Sequence, residues 1–436
     1  MSIRTLLSSS VLLAALAGCG GTDVILPGER VDFRDGTYAA PQAEANIALA
    51  ASIPAATNNA DWAQNGGNAQ HNVQNAAFGG TPQLLFSADI GAGNEKRARL
   101  AADPIVAGGV VYTIDSDSQL VATSTVGARL WQSNLKPVGE RVAGPAGGMA
   151  VAGGIIYATS GYGEIIALDT SNGGIVWRQD LNSAGAAAPT VANGMVYVAS
   201  RDSRGWVLDA ANGRVKWTVD GITSETRYGS GASVAIGSDL SLFPFPSGQI
   251  IATFRNGGTN RWNSAVAGER LGYAVGTVFT GVSSSPVIDG GTVYASNPVG
   301  RIAAMNLATG AIEWTAKDGA IGPIQLTGNS LYFVNDVNEL VRLDKNSGNV
   351  IWRQSLPDMI ERRFGLSNAA YAHYGPVMAG GQLYVASSDG NLRQFDPASG
   401  ALVGQTEVRG GAASNPVVAG GVLYVVSQDG KLLAFR

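Results

Sequence analysis

Few residues in this chain could do chemistry by themselves. A single cysteine, Cys19, and two histidines, His71 and His373, occur in 436 residues. Zinc and its neighbours need three or four Cys, His or carboxylate ligands at short spacings, and the two histidines stand far apart with no such cluster around them. DSDSQLVATSTV, from Asp115, opens like a calcium loop but lacks glycine at its sixth position and an acid at its twelfth, where Val126 stands. YGSGAS around Ser230 is not GxSxG and lacks the strand-to-helix setting of a nucleophile elbow. His373, in AAYAHYGP, is a candidate base, and a loop histidine bonded to backbone is the simpler reading. We find no catalytic set, no metal site and no cofactor site in the sequence. What stands out instead is acid close to arginine, in a chain only 14% charged: Glu95 with Arg97, Glu140 with Arg141, Glu225 with Arg227, Glu269 with Arg270, and Glu361 with Arg362. The net charge of −4 offers no basic footprint for a nucleic-acid backbone.

The lone thiol has a position that explains it. Arg4, an apolar run from Leu6 to Ala17 and then small residues form the layout of a secretory signal, too short to span a bilayer. The end of that run, Leu16-Ala17-Gly18-Cys19, resembles the lipobox of bacterial lipoproteins. That resemblance implies a signal peptide over residues 1–18, cleavage before Cys19 and acylation of its thiol, and acyl chains anchor a protein without a membrane helix. Gly20 follows where aspartate would retain a lipoprotein at the inner membrane, which implies an outer-membrane anchor facing the periplasm. Residues 19–60, rich in Ala, Pro, Asn and Thr without periodicity, read as a flexible tether with a reach of roughly 35 Å. A short helix over Ala43–Ala51 is the alternative for part of it.

A repeat sets the fold. The strings VATSTVGARLW, ALDTSNGGIVW, VLDAANGRVKW, ATFRNGGTNRW, AMNLATGAIEW and RLDKNSGNVIW end at Trp131, Trp177, Trp217, Trp262, Trp314 and Trp352, and QFDPASGALVG ends at Gly404. Four residues before each end stands a glycine, from Gly127 and Gly173 to Gly400, as a hairpin turn with positive φ requires. A strand aromatic precedes each turn: Tyr112, Tyr157, Tyr197, Phe243, Tyr294, Tyr332, Tyr384 and Tyr424, spaced 38 to 52 residues apart. Eight units of this period with about four strands each predict an all-β, eight-bladed β-propeller over residues 61–436. The tryptophans read as wedges between blades, and Asp169, Asp209, Asp344 and Asp396 as turn residues bonding their own backbone. The eighth unit stops after three strands, and TPQLLFSADI, residues 81–90, is expected to complete it.

The AxDxxTGxxxW pattern resembles the quinoprotein-type (PQQ-like) propeller repeat, and DWAQNGGNAQHN, residues 61–72, is similar to the first segment of such chains. A pyrroloquinoline-quinone dehydrogenase of that class implies a vicinal cysteine pair, a calcium site and an aspartate base. The only cysteine lies in the signal region, which disfavours an enzyme. In four-stranded blades the D-to-A and B-to-C loops share one face, and here that face carries the long insertions and all five acid–arginine pairs. A lipid-anchored, eight-bladed propeller without a catalytic set resembles the BamB-type lipoproteins of the outer-membrane β-barrel assembly machinery. The resemblance implies a non-catalytic scaffold that docks the periplasmic domains of a BamA-like barrel-insertion protein, and offers sheet edges to unfolded outer-membrane clients. In that family an arginine loop between blades three and four binds the partner. Arg227 matches it, while Ser224, Glu225 and Thr226 replace the hydrophobic residues before it, and Gly281, Val282 and Ser283 replace an acidic pair further on. Arg227, Arg270, Glu225, Glu269, Arg141 and Arg362 are the expected partner-binding residues. The same acids and arginines could instead pair between loops and stiffen the rim. The other readings are a membrane-tethered quinoprotein dehydrogenase, and an envelope sensor or glycan-binding propeller using Tyr228, Tyr273, Tyr371 and Tyr374.

Overall fold

The computed structural model describes residues 46–436 except 97, 143, 145, 184–186, 224–230, 269–281 and 359–369. Among them, short runs of β-branched, aliphatic and aromatic residues between glycine turns pair into eight four-stranded antiparallel sheets. Blade 1 runs from Ile105 to Asn134, blade 2 from Gly148 to Asp180, blade 3 from Thr190 to Asp220 and blade 4 from Ala235 to Ala265. Blade 5 runs from Val287 to Ala316, blade 6 from Gln325 to Ser355 and blade 7 from His373 to Glu407. Blade 8 takes three strands from Val417 to Phe435, and its outermost strand, Leu84–Asp89, comes from the start of the chain and pairs antiparallel with Lys431–Phe435. The chain is an all-β, eight-bladed propeller closed by an N-terminal strand, as the repeat predicts. In each blade strands A to D run from the axis outward. Strands B and C are buried on both faces because blades stack face to face, so they read as unbroken apolar runs such as IIYAT and EIIALD.

Six of the eight joints between blades are one repeated contact. In blades 1, 2, 5 and 6 the strand-B tyrosine packs against the strand-D tryptophan of its own blade, with ring centroids 5.8 to 6.0 Å apart. The indole then lies on the C–D turn of the following blade and donates to a turn carbonyl: Trp131 to Thr170 at 2.9 Å, Trp177 to Ala210 at 3.1 Å, Trp314 to Lys345 at 3.0 Å. The turn glycine has φ of +71° at Gly173 and Gly213, and a Cβ there would stand 2.5 and 2.6 Å from Trp131 and Trp177. The repeat glycine therefore answers two demands, positive φ and bare space for an indole. At the closure Phe86 takes the tryptophan's place over Gly127. The turn aspartates bond their own backbone, for example Asp169 Oδ1 accepting from Ser171 N–H at 2.7 Å.

The segment before blade 1 forms a belt inside the ring. Its contacts follow blade order around the axis. Gly420 of blade 8 donates to the Asn59 carbonyl at 2.8 Å, and Trp62 exchanges two backbone bonds with Val106 of blade 1. Val151 of blade 2 donates to Ala63, Val191 of blade 3 to the Gln64 side chain, Ile236 of blade 4 to Ala69, and Ile288 of blade 5 to Gln70. Gln325 of blade 6 donates to the Val73 carbonyl, and Ala76 donates to Met378 of blade 7. Thr57 pairs with Ala76 and completes the circle. Each strand A thus finds partners for the inner edge that would otherwise lack them.

Before the belt, residues 46–53 form a strap between blades 6 and 7. Ile47 N–H donates to Ile351, the strand-D residue of blade 6, and Asn46 exchanges two bonds with the backbone of Arg353. Arg342, fully buried in strand C of blade 6, donates to the carbonyls of Leu49, Ala50 and Ala398 and to Ser330 Oγ. Burial lowers its pKa. Residues 46–60, assigned above to the flexible tether, are therefore bonded to the propeller body. The proposed helix is absent over residues 46–51, which form neither helix nor strand, and residues 43–45 lie outside the described residues.

Two outcomes are expected. Gly213→Ala and Gly194→Ala share a φ near +72°, but a Cβ at Gly194 meets nothing within 4 Å. Urea unfolding followed by tryptophan fluorescence should show about 1 kcal/mol lost for Gly194→Ala and at least about 2 kcal/mol more for Gly213→Ala. A body starting at residue 53 should be less stable than one starting at residue 46 by about 2–4 kcal/mol, because Arg342 loses its carbonyl acceptors at Leu49 and Ala50 and keeps only Ala398 and Ser330. Arg342→Met should recover much of that loss only in the shorter chain.

Candidate functional site

Strand direction sends the D-to-A and B-to-C connections to one face of the disc, where the shaft opens. Cys19 and the loop residues Glu225, Arg227, Glu269, Arg270 and Arg362, with Arg97 and Glu361, lie outside the described residues. Glu95, Glu140 and Arg141 are exposed on this face. Glu140 does not pair with Arg141 through its guanidinium; its carboxylate accepts the N–H groups of Arg141 and Val142 at 2.8 and 2.7 Å and caps its own turn. Neighbouring acid and arginine in sequence thus make a turn here, and leave the guanidinium in solvent.

Other charges on this face do pair, across strands that sequence adjacency does not join. Arg178 meets Glu164 at 2.8 Å and Arg204 meets Asp220 at 2.9 Å, while Arg393 meets Asp389 of the turn just before its own strand. Arg353 of blade 6 binds the buried Asp318 of the preceding connection through two bonds of 2.8 and 2.7 Å. These pairs stiffen the rim. Tyr371 and Tyr374, read from the sequence as exposed aromatics, are half-buried, and Tyr374 packs on the core of blades 7 and 8. Tyr228 and Tyr273 lie outside the described residues. Asp115 accepts the N–H groups of Ala92, Asp117 and Gln119, the work of a turn carboxylate.

Inside the mouth lies a cavity of about 360 Å³ along the propeller axis, walled by the starts of the A strands and floored by the belt at Asn65, Gly66 and His71. Asp103 on its wall accepts from Asn415 N–H at 2.8 Å and Asn415 Nδ2 at 2.9 Å, and burial raises its pKa against those bonds. His373 is the first residue of its strand. Its Nε2 lies 2.8 Å from the Pro357 carbonyl and its Nδ1 2.7 Å from Ser387 Oγ, and burial lowers its pKa. Both ring nitrogens are engaged in holding the loop, in keeping with the simpler reading of this residue. Sequence reasoning weighed His71 only as a metal ligand and passed over Asp103; the signal of each is only that it is a polar residue in a segment that folds inward.

His71 has φ of +56° and its Nδ1 sits 2.9 Å from the Pro286 carbonyl, so Nδ1 carries the proton. Burial lowers its pKa from 6.5 to about 4. The unfolded chain therefore takes up this proton first, and stability present above pH 6.5 is lost as pH falls toward 4, by up to about 3 kcal/mol. His71→Asn keeps a donor for Pro286 and tolerates the left-handed backbone. Unfolding free energies measured from pH 7 to pH 4 should fall less steeply for His71→Asn than for the native chain; equal slopes would contradict the neutral buried imidazole.

Comparison with known proteins fits this architecture. The family model described as outer membrane protein assembly factor BamB matches residues 123–354 and 338–436. The outer membrane protein assembly factor BamB of Salmonella typhimurium is 30% identical over 343 residues, 75% of this chain and 82% of that protein. Its Escherichia coli counterpart is 30% identical over 340 residues with the same coverage. Among solved structures, BamB from Moraxella catarrhalis superposes with a TM-score of 0.64 at 16% identity, covering 82% of this chain and 98% of that one. A quinohemoprotein alcohol dehydrogenase from Comamonas testosteroni reaches 0.65 at 14% identity, covering 87% and 81%. At such identities the two likenesses speak for the fold alone. The family match and the two relatives speak for more: this chain belongs to the BamB family of outer membrane protein assembly factors.

Proposed function

We propose that this protein is a non-catalytic scaffold for outer-membrane protein assembly, held at the periplasmic side of the outer membrane by acyl chains on Cys19. It docks the periplasmic domains of a BamA-like barrel-insertion protein through the long-loop face, using Arg227 and Arg270 with Glu225, Glu269, Arg141 and Arg362. The observation that carries this reading is family membership, which supports a role in outer-membrane protein assembly. The distribution of loops agrees with it, because long connections on a rigid scaffold are where binding residues concentrate. Exposed Arg141, whose guanidinium pairs with no described acid, suits a partner carboxylate better than the rim arginines already held by Glu164, Asp220 and Asp318.

Photo-crosslinking groups placed at Arg227, Arg270 and Arg141 are expected to capture the barrel-insertion protein in living cells. The same group at Arg214, an exposed residue of a C–D turn on the opposite face, should not. Capture from Arg214 alone, or from none of the four, would sink the docking scheme. Cys19→Ser is expected to move the protein from the membrane fraction to the soluble periplasm.

A further inference from the structure

The face opposite the long loops holds a groove whose occupant the molecule itself suggests. Between blades 2 and 3 lies a groove of about 630 Å³, bounded by Tyr157, Val176 and Trp177 of blade 2, Ala192 and Asn193 at the A–B turn of blade 3, and Ala210 in its C–D turn. The internal repeat gives every one of these positions a counterpart between blades 6 and 7. Tyr157 corresponds to Tyr332, Trp177 to Trp352, Val176 to Ile351, and Ala210 to Pro397, counting from the turn glycines Gly173 and Gly348 and then Gly213 and Gly400. In the second groove the strap is seated. Ile53 packs on the cluster of Tyr332, Trp352 and Met378, Ile47 N–H bonds Ile351, and the Ser52 carbonyl lies where a Cβ on Gly328 would stand. Exposure registers the occupancy: Ile351 is 5% exposed under the strap, whereas Val176 is 51% exposed.

We propose that the groove between blades 2 and 3 docks an extended, aliphatic segment of a partner protein chain, in the manner that residues 46–53 dock between blades 6 and 7. The strap, NIALAASI, defines the chemistry of the occupant: a backbone that bonds the strand-D edge and an aliphatic side chain, as Ile53 supplies, over the tyrosine and tryptophan, while Ile47 and Leu49 stay 51% and 45% exposed. One difference sets the strength of binding. Arg342, which grips strap carbonyls, has Ala167 as its counterpart, fully buried and paired opposite Tyr157 as Arg342 is opposite Tyr332. Without the guanidinium the partner segment is held by apolar cover and edge hydrogen bonds, as suits a reversible contact. This surface lies on the other face from the docking loops and does not depend on the assignment made to them.

The test uses a body starting at residue 46, with its own strap in place, and a fluorescent peptide of the sequence NIALAASIPA as probe. Fluorescence anisotropy should show saturable binding. Val176→Glu should weaken it tenfold or more, while Val403→Glu, at an equally exposed strand-D position of blade 7, should leave it unchanged. Thermal melting of both variants checks that each is folded. No saturable binding at millimolar peptide, or equal effects of the two substitutions, would overturn the proposal. So would a dimer of the unliganded body that Val176→Glu converts to monomer, since the occupant would then be a second copy.

Discussion

The whole ring depends on an indole lying on a glycine. A blade buries strands B and C on both faces, so it is not stable alone and needs a neighbour on each side. The tryptophan of strand D supplies that neighbour contact at the turn of the next blade, with a flat apolar surface and one N–H bond to a turn carbonyl. Nothing larger than hydrogen fits beneath it. Six of the eight joints are of this kind, and at the joint between blades 7 and 8 Gly404 stands where the tryptophan would. These like joints fix the angle between blades and therefore their number, and a ring of eight must close on itself without a gap. Phe86 over Gly127 makes the last joint with a smaller ring, where the chain begins and ends.

Closure is secured at three radii. At the outside, Leu84–Asp89 completes blade 8. At the inside, the belt from Asn59 to Ala76 visits all eight blades in order, so that opening any joint also strains a continuous chain. Between them, Arg342 of blade 6 bonds both Ala398 of blade 7 and the strap, whose Ile53 packs on residues of the two blades. The belt also makes the two faces unequal. It floors the shaft on the turn side, and the cavity opens toward the long loops.

Much of this was legible in the sequence because a propeller repeats its demands. The turn glycine, the tryptophan four residues later and the turn aspartate recur, so their meaning can be read from comparison within one chain. The role of residues 81–90 was legible from a deficit, the missing fourth strand of the last unit. The strap was not. NIALAASI alternates Ile47, Leu49 and Ile53 with small residues but lacks the polar positions and turn signals that would mark a strand, because backbone carbonyls hold it in place along with a few side chains. Its mark lay elsewhere, in an arginine at position 342 where the matching position of blade 2 carries Ala167. The charges of the loop face misled in a similar way. Glu140 and Arg141 are adjacent in sequence, yet the carboxylate serves the backbone. Arg178, Arg204 and Arg353 find their acids across strands and blades. Adjacency in sequence says little about pairing when successive side chains of an extended chain point to opposite sides.

The contrast between Arg342 and Ala167 bears on how one scaffold can treat two like grooves differently. A buried guanidinium without a carboxylate is tolerable only while carbonyl oxygens are always present, because losing them leaves a desolvated charge. A segment of the same chain meets that condition, since its effective concentration near the groove is in the millimolar range or above whatever the solution contains. A separate partner does not, because the groove must also survive empty. An arginine at position 167 would stabilise the bound form and make the free form costly. Alanine there keeps the empty groove free of a buried charge. The residue at this one position in strand C thus separates a groove that is part of the fold from one that can open and fill.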